Sequence, residues 1–150
     1  MTLPGQYESG LDRGIGFRLS RTSRGLRQNW ASRLKPLGVS PPQAAVLRGI
    51  AASPLVSLRE LARQLGDDAM NVKRYIDSLE RAGLVESGHR NGDRRSRTLA
   101  LTAPGVALAY EINVLASEQR EWIESLLGER NVSDLLATLG VIDAHIGDQP

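Results

Sequence analysis

Apolar residues recur at helical spacing over most of the chain. Leu19, Leu26, Trp30, Leu34 and Leu37 predict a helix from about Ile15 to Leu37, ended by Gly38. Ser40 followed by Pro41 is a helix start: the serine caps, and proline sits where its missing N–H costs nothing. That helix is expected to run to about Ala52, and Pro54 stops the chain from continuing. Ser57-Leu58-Arg59-Glu60 reads as a capping box opening a short helix with Leu58, Leu61, Ala62 and Leu65 inward, broken by Gly66. Asp67 or Asp68 then caps a helix from about Ala69 to Ala82, and Gly83 stands where a C-terminus wants a left-handed residue. Two helices of this size joined by a three-residue turn containing glycine have helix-turn-helix spacing.

The period changes after Gly83. Residues 84–89 and 97–101 read as two strands, with Leu99 and Leu101 on one face of the second. Between them Asn91-Gly92 is a hairpin turn signal, so a wing follows the second helix. Thr102 caps a long helix with Pro104 in its first turn. Leu108, Ile112, Leu115, Trp122 and Leu126 carry that helix to about Leu127, roughly 36 Å at 1.5 Å per residue. Gly128 ends it, and Leu135, Leu136, Leu139, Ile142 and Ile146 predict a last helix over about 132–146. Residues 1–14 carry no period and read as a flexible N-terminal arm.

Composition narrows the function. The 150 residues are 41% hydrophobic and 24% charged, as in a globular protein, and only 4% aromatic, so the core is aliphatic. No apolar run approaches a membrane span, and the N-terminus lacks the pattern of a signal peptide, so a cytoplasmic protein without a membrane partner is expected. The absence of cysteine removes disulfides, a thiol nucleophile and thiolate-bound zinc. His89 and His145 are too far apart in sequence to suggest a metal site, and neither reads as a catalyst. No acid–base or nucleophile constellation stands out, so an enzyme is not expected, nor a metal or cofactor.

The net charge of +2 hides an asymmetry. Residues 1–100 hold 17 Lys and Arg against 9 Asp and Glu, while residues 101–150 hold 2 against 8. Seventeen of the 19 basic residues are arginine, the residue suited to forked contact with phosphate and guanine. A basic front and an acidic rear fit a protein that turns one side to a polyanion; a solvated basic surface is the plain alternative. The wing adds Arg90, Arg94, Arg95 and Arg97 against one acid.

This order of elements, with these residues, resembles the MarR (multiple antibiotic resistance regulator) family of winged-helix transcription factors, over about residues 15–146. The resemblance rests on Leu61-Ala62, Val72, Arg74, Leu79-Glu80 and Gly83-Leu84-Val85, on Asp93 and Arg95 of an Asp-x-Arg wing, and on Leu101-Thr102 with Gly105. Pro36-Leu37-Gly38-Val39-Ser40-Pro41-Pro42-Gln43 is similar to the family's link between its first two helices. Met70-Asn71 stand where small Ser, Thr or Pro residues are usual in the family.

The expected fold is mainly α with a small β-wing (α+β): a winged helix-turn-helix core over 40–102, flanked by N- and C-terminal dimerisation helices over 15–39 and 103–147, as one structural unit. A 36 Å helix cannot bury its whole apolar stripe on so small a core. Leu108, Ile112, Leu115, Trp122, Leu126, Leu135, Leu139 and Ile142 are therefore expected to meet a second copy, and the resemblance implies the same.

The helix over 69–82 turns Val72, Ile76 and Leu79 to the core and Met70, Arg74, Asp77 and Arg81 outward, with Asn71 and Lys73 on the flanks. Asn71, Lys73 and Arg74 are the candidate base and phosphate contacts of a recognition helix, and Arg90, Arg94, Arg95 and Arg97 those of a wing over 88–98. The resemblance implies that Asp93 braces Arg95.

The expected function is a homodimeric repressor on a pseudo-palindromic operator in double-stranded DNA. A non-specific architectural DNA-binding protein and a winged-helix protein-interaction adaptor are the alternatives. Members of the family often release DNA on binding a small aromatic or anionic effector. Without cysteine, either a non-covalent ligand or none remains, and Arg21, Trp30 and Tyr110 are the candidate ligand residues, against a plain core role for the two rings.

Overall fold

The computed structural model describes residues 10–89 and 97–148. The order is a short 3-10 turn (Gly10–Arg13), α1 (Ile15–Leu34), a second such turn (Lys35–Leu37), α2 (Pro41–Ala52), α3 (Leu58–Leu65), α4 (Ala69–Arg81), β1 (Val85–His89), β2 (Arg97–Leu101), α5 (Ala103–Leu127) and α6 (Glu129–His145). This is a mainly helical chain with a small antiparallel sheet, the winged-helix architecture. It divides into two compact units, Met1–Ala109 and Tyr110–Pro150.

Local chemistry sets the element boundaries in the first unit. Gly38 turns left-handed after the second 3-10 turn (φ 74°), and Ser40 then begins α2. Ser40 Oγ accepts from Gln43 N, and Gln43 Oε1 accepts from Ser40 N at 2.9 Å, so two orphan N–H groups are satisfied at once. Gln43 Nε2 also donates to Ser78 Oγ at 2.8 Å, tying this cap to α4. Ser57 Oγ accepts from Glu60 N at the start of α3, and Gly66 (φ 62°) ends it. Asp68 caps α4 by accepting from Met70 N.

The core of this unit is aliphatic. Leu34, Val46, Leu47, Ile50, Leu61 and Leu99 are buried beside Val72, Ile76 and Leu79 of α4. Burying three such side chains contributes about 1.5–3 kcal/mol each, against about 1 kcal/mol for a helix cap. Core burial rather than the cap therefore decides which face of α4 is left outside.

β1 and β2 pair antiparallel with Val85 opposite Leu101 and His89 opposite Arg97. The segment after α2 adds a third, very short rung. Leu55 N donates to Leu99 O, Leu99 N donates to Val56 O, and Ser57 bridges Thr98. Leu55 itself takes a left-handed backbone (φ 63°).

The junction of α4, β1 and α5 is held by one threonine and one glycine. Thr102 Oγ1 donates to Gly83 O at 2.6 Å and accepts from Gly105 N at 3.2 Å, while Thr102 N donates to Leu84 O. A Cβ at position 105 would overlap the carbonyl oxygen of Leu84. The Leu-Thr-x-x-Gly pattern is thus the latch between the wing strand and the long helix.

In the second unit α6 begins at Glu129, three residues earlier than its apolar residues predict, after Gly128 (φ 84°). Ile112 and Val132 are buried, but Trp122, Leu126, Leu127, Leu135, Leu136, Val141 and Ile142 are exposed. Leu115 and Leu139 are half-buried, as is Leu108 in the first unit. Ile112, expected at an interface with a second copy, is fully buried within the single chain. No helix among the described residues is long and apolar enough to cross a membrane.

Candidate nucleic-acid interface

The exposed edge of α4 carries a relay of polar side chains. Asp67 precedes the helix and its Oδ1 accepts from Asp68 N at 2.7 Å and from Asn71 Nδ2 at 3.0 Å. Asn71 Oδ1 in turn accepts from Arg74 Nη2. The hydrogen bond from Asn71 and that from the Asp68 N–H hold the Asp67 carboxyl below the usual carboxylate range, with Arg74 adding a smaller pull. Asp67 is therefore an anion at neutral pH. It fixes Asn71, and Asn71 fixes Arg74. Met70 stands at the head of this edge, 69% exposed.

A second cluster lies one to two turns further on. Lys73 Nζ is 2.8 Å from Asp77 Oδ2. Asp77 Oδ1 is 3.3 Å from Arg97 Nη2, and the same Nη2 is 3.0 Å from Glu80 Oε2. Arg97 Nε donates to Ser87 Oγ at 2.8 Å, and Ser87 Oγ donates to Glu80. The Lys73 hydrogen bond is the main cause that lowers the Asp77 carboxyl; burial opposes it, and the hydrogen bond from Arg97 adds a smaller lowering.

The sequence-predicted DNA contacts thus separate. Asn71 and Arg74 share one edge of α4, and Lys73, on the other flank of its outward face, pairs with Asp77. Arg97, 21% exposed, has its side chain on the carboxylates of α4. Arg90, Arg94, Arg95 and the expected brace Asp93 lie outside the described residues.

The expected ligand residues Arg21 and Trp30 belong to the first unit and Tyr110 to the second. A cleft of about 290 Å³ in the first unit is lined by Arg27, Pro41, Pro42, Ala45, Leu65, Asp67 and Tyr75. None of Arg21, Trp30 and Tyr110 borders it. Arg21 lies 3.8 Å from Asp12 in an exposed ion pair, Trp30 is half-buried in α1, and Tyr110 belongs to the second unit and is 71% exposed. The cleft is walled by the start of α2 and by the turn before α4. The Pro41-Pro42 pair, read only as a helix start, was the available signal. No group of three or more His, Asp or Glu among the described residues is arranged to hold a metal ion.

A model of the MarR family matches residues 39–96, from the start of α2 to the wing. The HTH-type transcriptional repressor Rv2887 of Mycobacterium tuberculosis strain H37Rv is 35% identical over 98 residues, covering 65% of this chain and 70% of that protein. The chain belongs to the MarR family. Like other MarR proteins it is a transcriptional regulator and not an enzyme. Among solved MarR-like structures, the transcriptional repressor CouR bound to a 23-mer DNA duplex superposes with a TM-score of 0.81. It is 30% identical, over 89% of this chain and 95% of CouR. CouR bound to p-coumaroyl-CoA gives 0.79 at 25% identity, over 92% and 97% of the two chains. The MepR–DNA complex of S. aureus gives 0.80 at 18% identity, over 90% and 98%, a likeness of fold.

Proposed function

We propose that this MarR protein is a homodimeric repressor that reads one half-site per subunit of a pseudo-palindromic operator. The observation that carries the reading is the exposed edge of α4. Asn71 and Arg74, the side-chain types that pair with adenine and guanine, are held in one hydrogen-bonded row beside Lys73, while Val72, Ile76 and Leu79 anchor the opposite face. The wing arginines Arg90, Arg94 and Arg95 extend the basic surface in sequence. A similar chain, CouR, has been solved on a DNA duplex. Two copies are supported by the exposed apolar side chains of α5 and α6, which a lone chain would leave in water.

Footprinting on genomic DNA, followed by gel shifts on the footprinted site and on scrambled DNA, tests this. A preferred palindromic site with affinity at least about a thousandfold above scrambled DNA is expected. Equal affinity for both would make the protein an architectural binder. No salt-dependent binding to either would make it an adaptor.

Release by a small aromatic or anionic ligand is the second part of the reading. The cleft beside α4 supports it: Arg27 offers a cation, Tyr75 a ring and hydroxyl, and Asp67 belongs both to the cleft and to the Asn71–Arg74 row. A ligand that displaces Asp67 would loosen the reading residues. Salicylate at millimolar concentration is expected to raise the melting temperature and weaken operator binding together. Stabilisation with unchanged operator affinity would uncouple the cleft from DNA reading.

A further inference from the structure

Arg97 is the first residue of β2, yet its side chain is spent on α4. Its Nη2 meets two carboxylates of that helix, Asp77 at 3.3 Å and Glu80 at 3.0 Å, and its Nε donates to Ser87 of β1 at 2.8 Å. Ser87 closes the loop by donating to Glu80. One planar guanidinium therefore joins both wing strands to the recognition helix. Only a fork of fixed geometry meets three such acceptors at once. We propose that Arg97 is a positioning residue, which sets the wing against α4 and offsets part of the negative charge of Asp77 and Glu80 where the protein faces DNA, and is not itself a contact with DNA.

Two features of the cluster support this. First, two acids on a helix that must approach phosphate would repel it, and Arg97 supplies the compensating charge from the wing side. Second, Asp77 is shared. Lys73 holds its Oδ2 and Arg97 its Oδ1. When Lys73 moves to a phosphate, Asp77 keeps Arg97, so the exchange does not strand a carboxylate. Arg97 thereby lets the lysine leave. The wing strands β1 and β2 and the helix's reading residues then arrive at the duplex in a fixed relation.

The proposal rests on the DNA-binding reading of α4, so one readout is made without DNA. The chain has no cysteine, and Glu86→Cys on exposed β1 gives a single position for a fluorophore. R97Q, R97K and S87A are compared in this full-length background, with helical circular dichroism confirming that each folds. R97Q and R97K are both expected to lower the label's anisotropy in the free protein and to weaken operator binding by about tenfold or more, because lysine keeps the charge and loses the fork. S87A, which changes no charge, is expected to weaken binding by a smaller factor, and to add nothing on top of R97Q. Wild-type affinity in R97K with a loss only in R97Q, at unchanged anisotropy, would make Arg97 a phosphate contact and overturn the proposal. So would additive losses in R97Q/S87A, or full affinity in R97Q. If the DNA-binding reading itself fails, the loss of anisotropy still stands as evidence of the wing clamp.

Discussion

Asn71 Nδ2 donates to Asp67 Oδ1 at 3.0 Å across one turn at the start of α4, so a carboxylate ahead of the helix governs the pose of the amide proposed to read a base. Ordering the side chain before DNA arrives removes part of the entropy that binding would otherwise cost. Asp67→Asn is therefore expected to narrow the gap between operator and scrambled DNA. It loosens Asn71 and Arg74, which lowers specific affinity, and removes a negative charge, which raises non-specific affinity. Paired gel shifts measure the ratio; an unchanged ratio would show that the row plays no part in reading.

Arg74→Ala is expected to weaken operator binding by about 1–3 kcal/mol and to relax the preference at one base pair per half-site. Operators substituted singly at each position, titrated against both proteins, locate that pair. A loss uniform over all substituted operators would mean that Arg74 touches phosphate alone.

The Asp77 cluster makes a prediction about pH. Lys73 and then Arg97 lower the Asp77 carboxyl in the folded chain. A lowered value means that the pairing contributes fully above the unfolded value, near about 4, and is lost as pH falls through the folded value. The melting temperature of the wild type should exceed that of Asp77→Asn by a constant margin from about pH 5 to 8, and the margin should shrink below about pH 4. A margin that widens on acidification would contradict the sign.

Much of this architecture is legible in the amino-acid sequence because its signals are local. Ser40-Pro41, Ser57, Gly66 and Gly83 act within one turn of where they stand, and the boundaries they predict for α2, α3 and α4 agree with the structure to within one residue. What was illegible depends on distant partners. Arg97 meets Asp77 and Glu80, 20 and 17 positions earlier, and nothing in the spacing distinguishes that arginine from those before it. The rung at Leu55–Ser57 is too short to carry an alternating pattern. The start of α6 at Glu129 has no side-chain cap to announce it.

Two glycines should differ in what a methyl group costs. A Cβ at Gly49 would meet the end of the Leu61 side chain, which can move, whereas at Gly105 it would meet the backbone of Leu84, which Thr102 holds in place. Urea denaturation is expected to show Gly105→Ala destabilised by about 1–3 kcal/mol or more, and Gly49→Ala by less. The reverse order would mean that the latch yields more easily than the core.

The exposed apolar side chains of the second unit predict an assembly. Sedimentation at micromolar concentration should show a dimer for the wild type and a monomer, with lost operator binding, for Leu126→Glu or Leu135→Glu. A wild-type monomer would remove the two-copy reading and with it the palindromic operator.

The latch at Thr102 and Gly105 shares no residue with the outward face of α4 that carries Met70, Asn71, Lys73 and Arg74. On the proposed reading, the chain keeps its scaffold and its vocabulary in separate places. Exchanging Asn71, Lys73 and Arg74 as a cassette would then readdress the protein to a different promoter and leave the junction at Thr102 and Gly105 untouched.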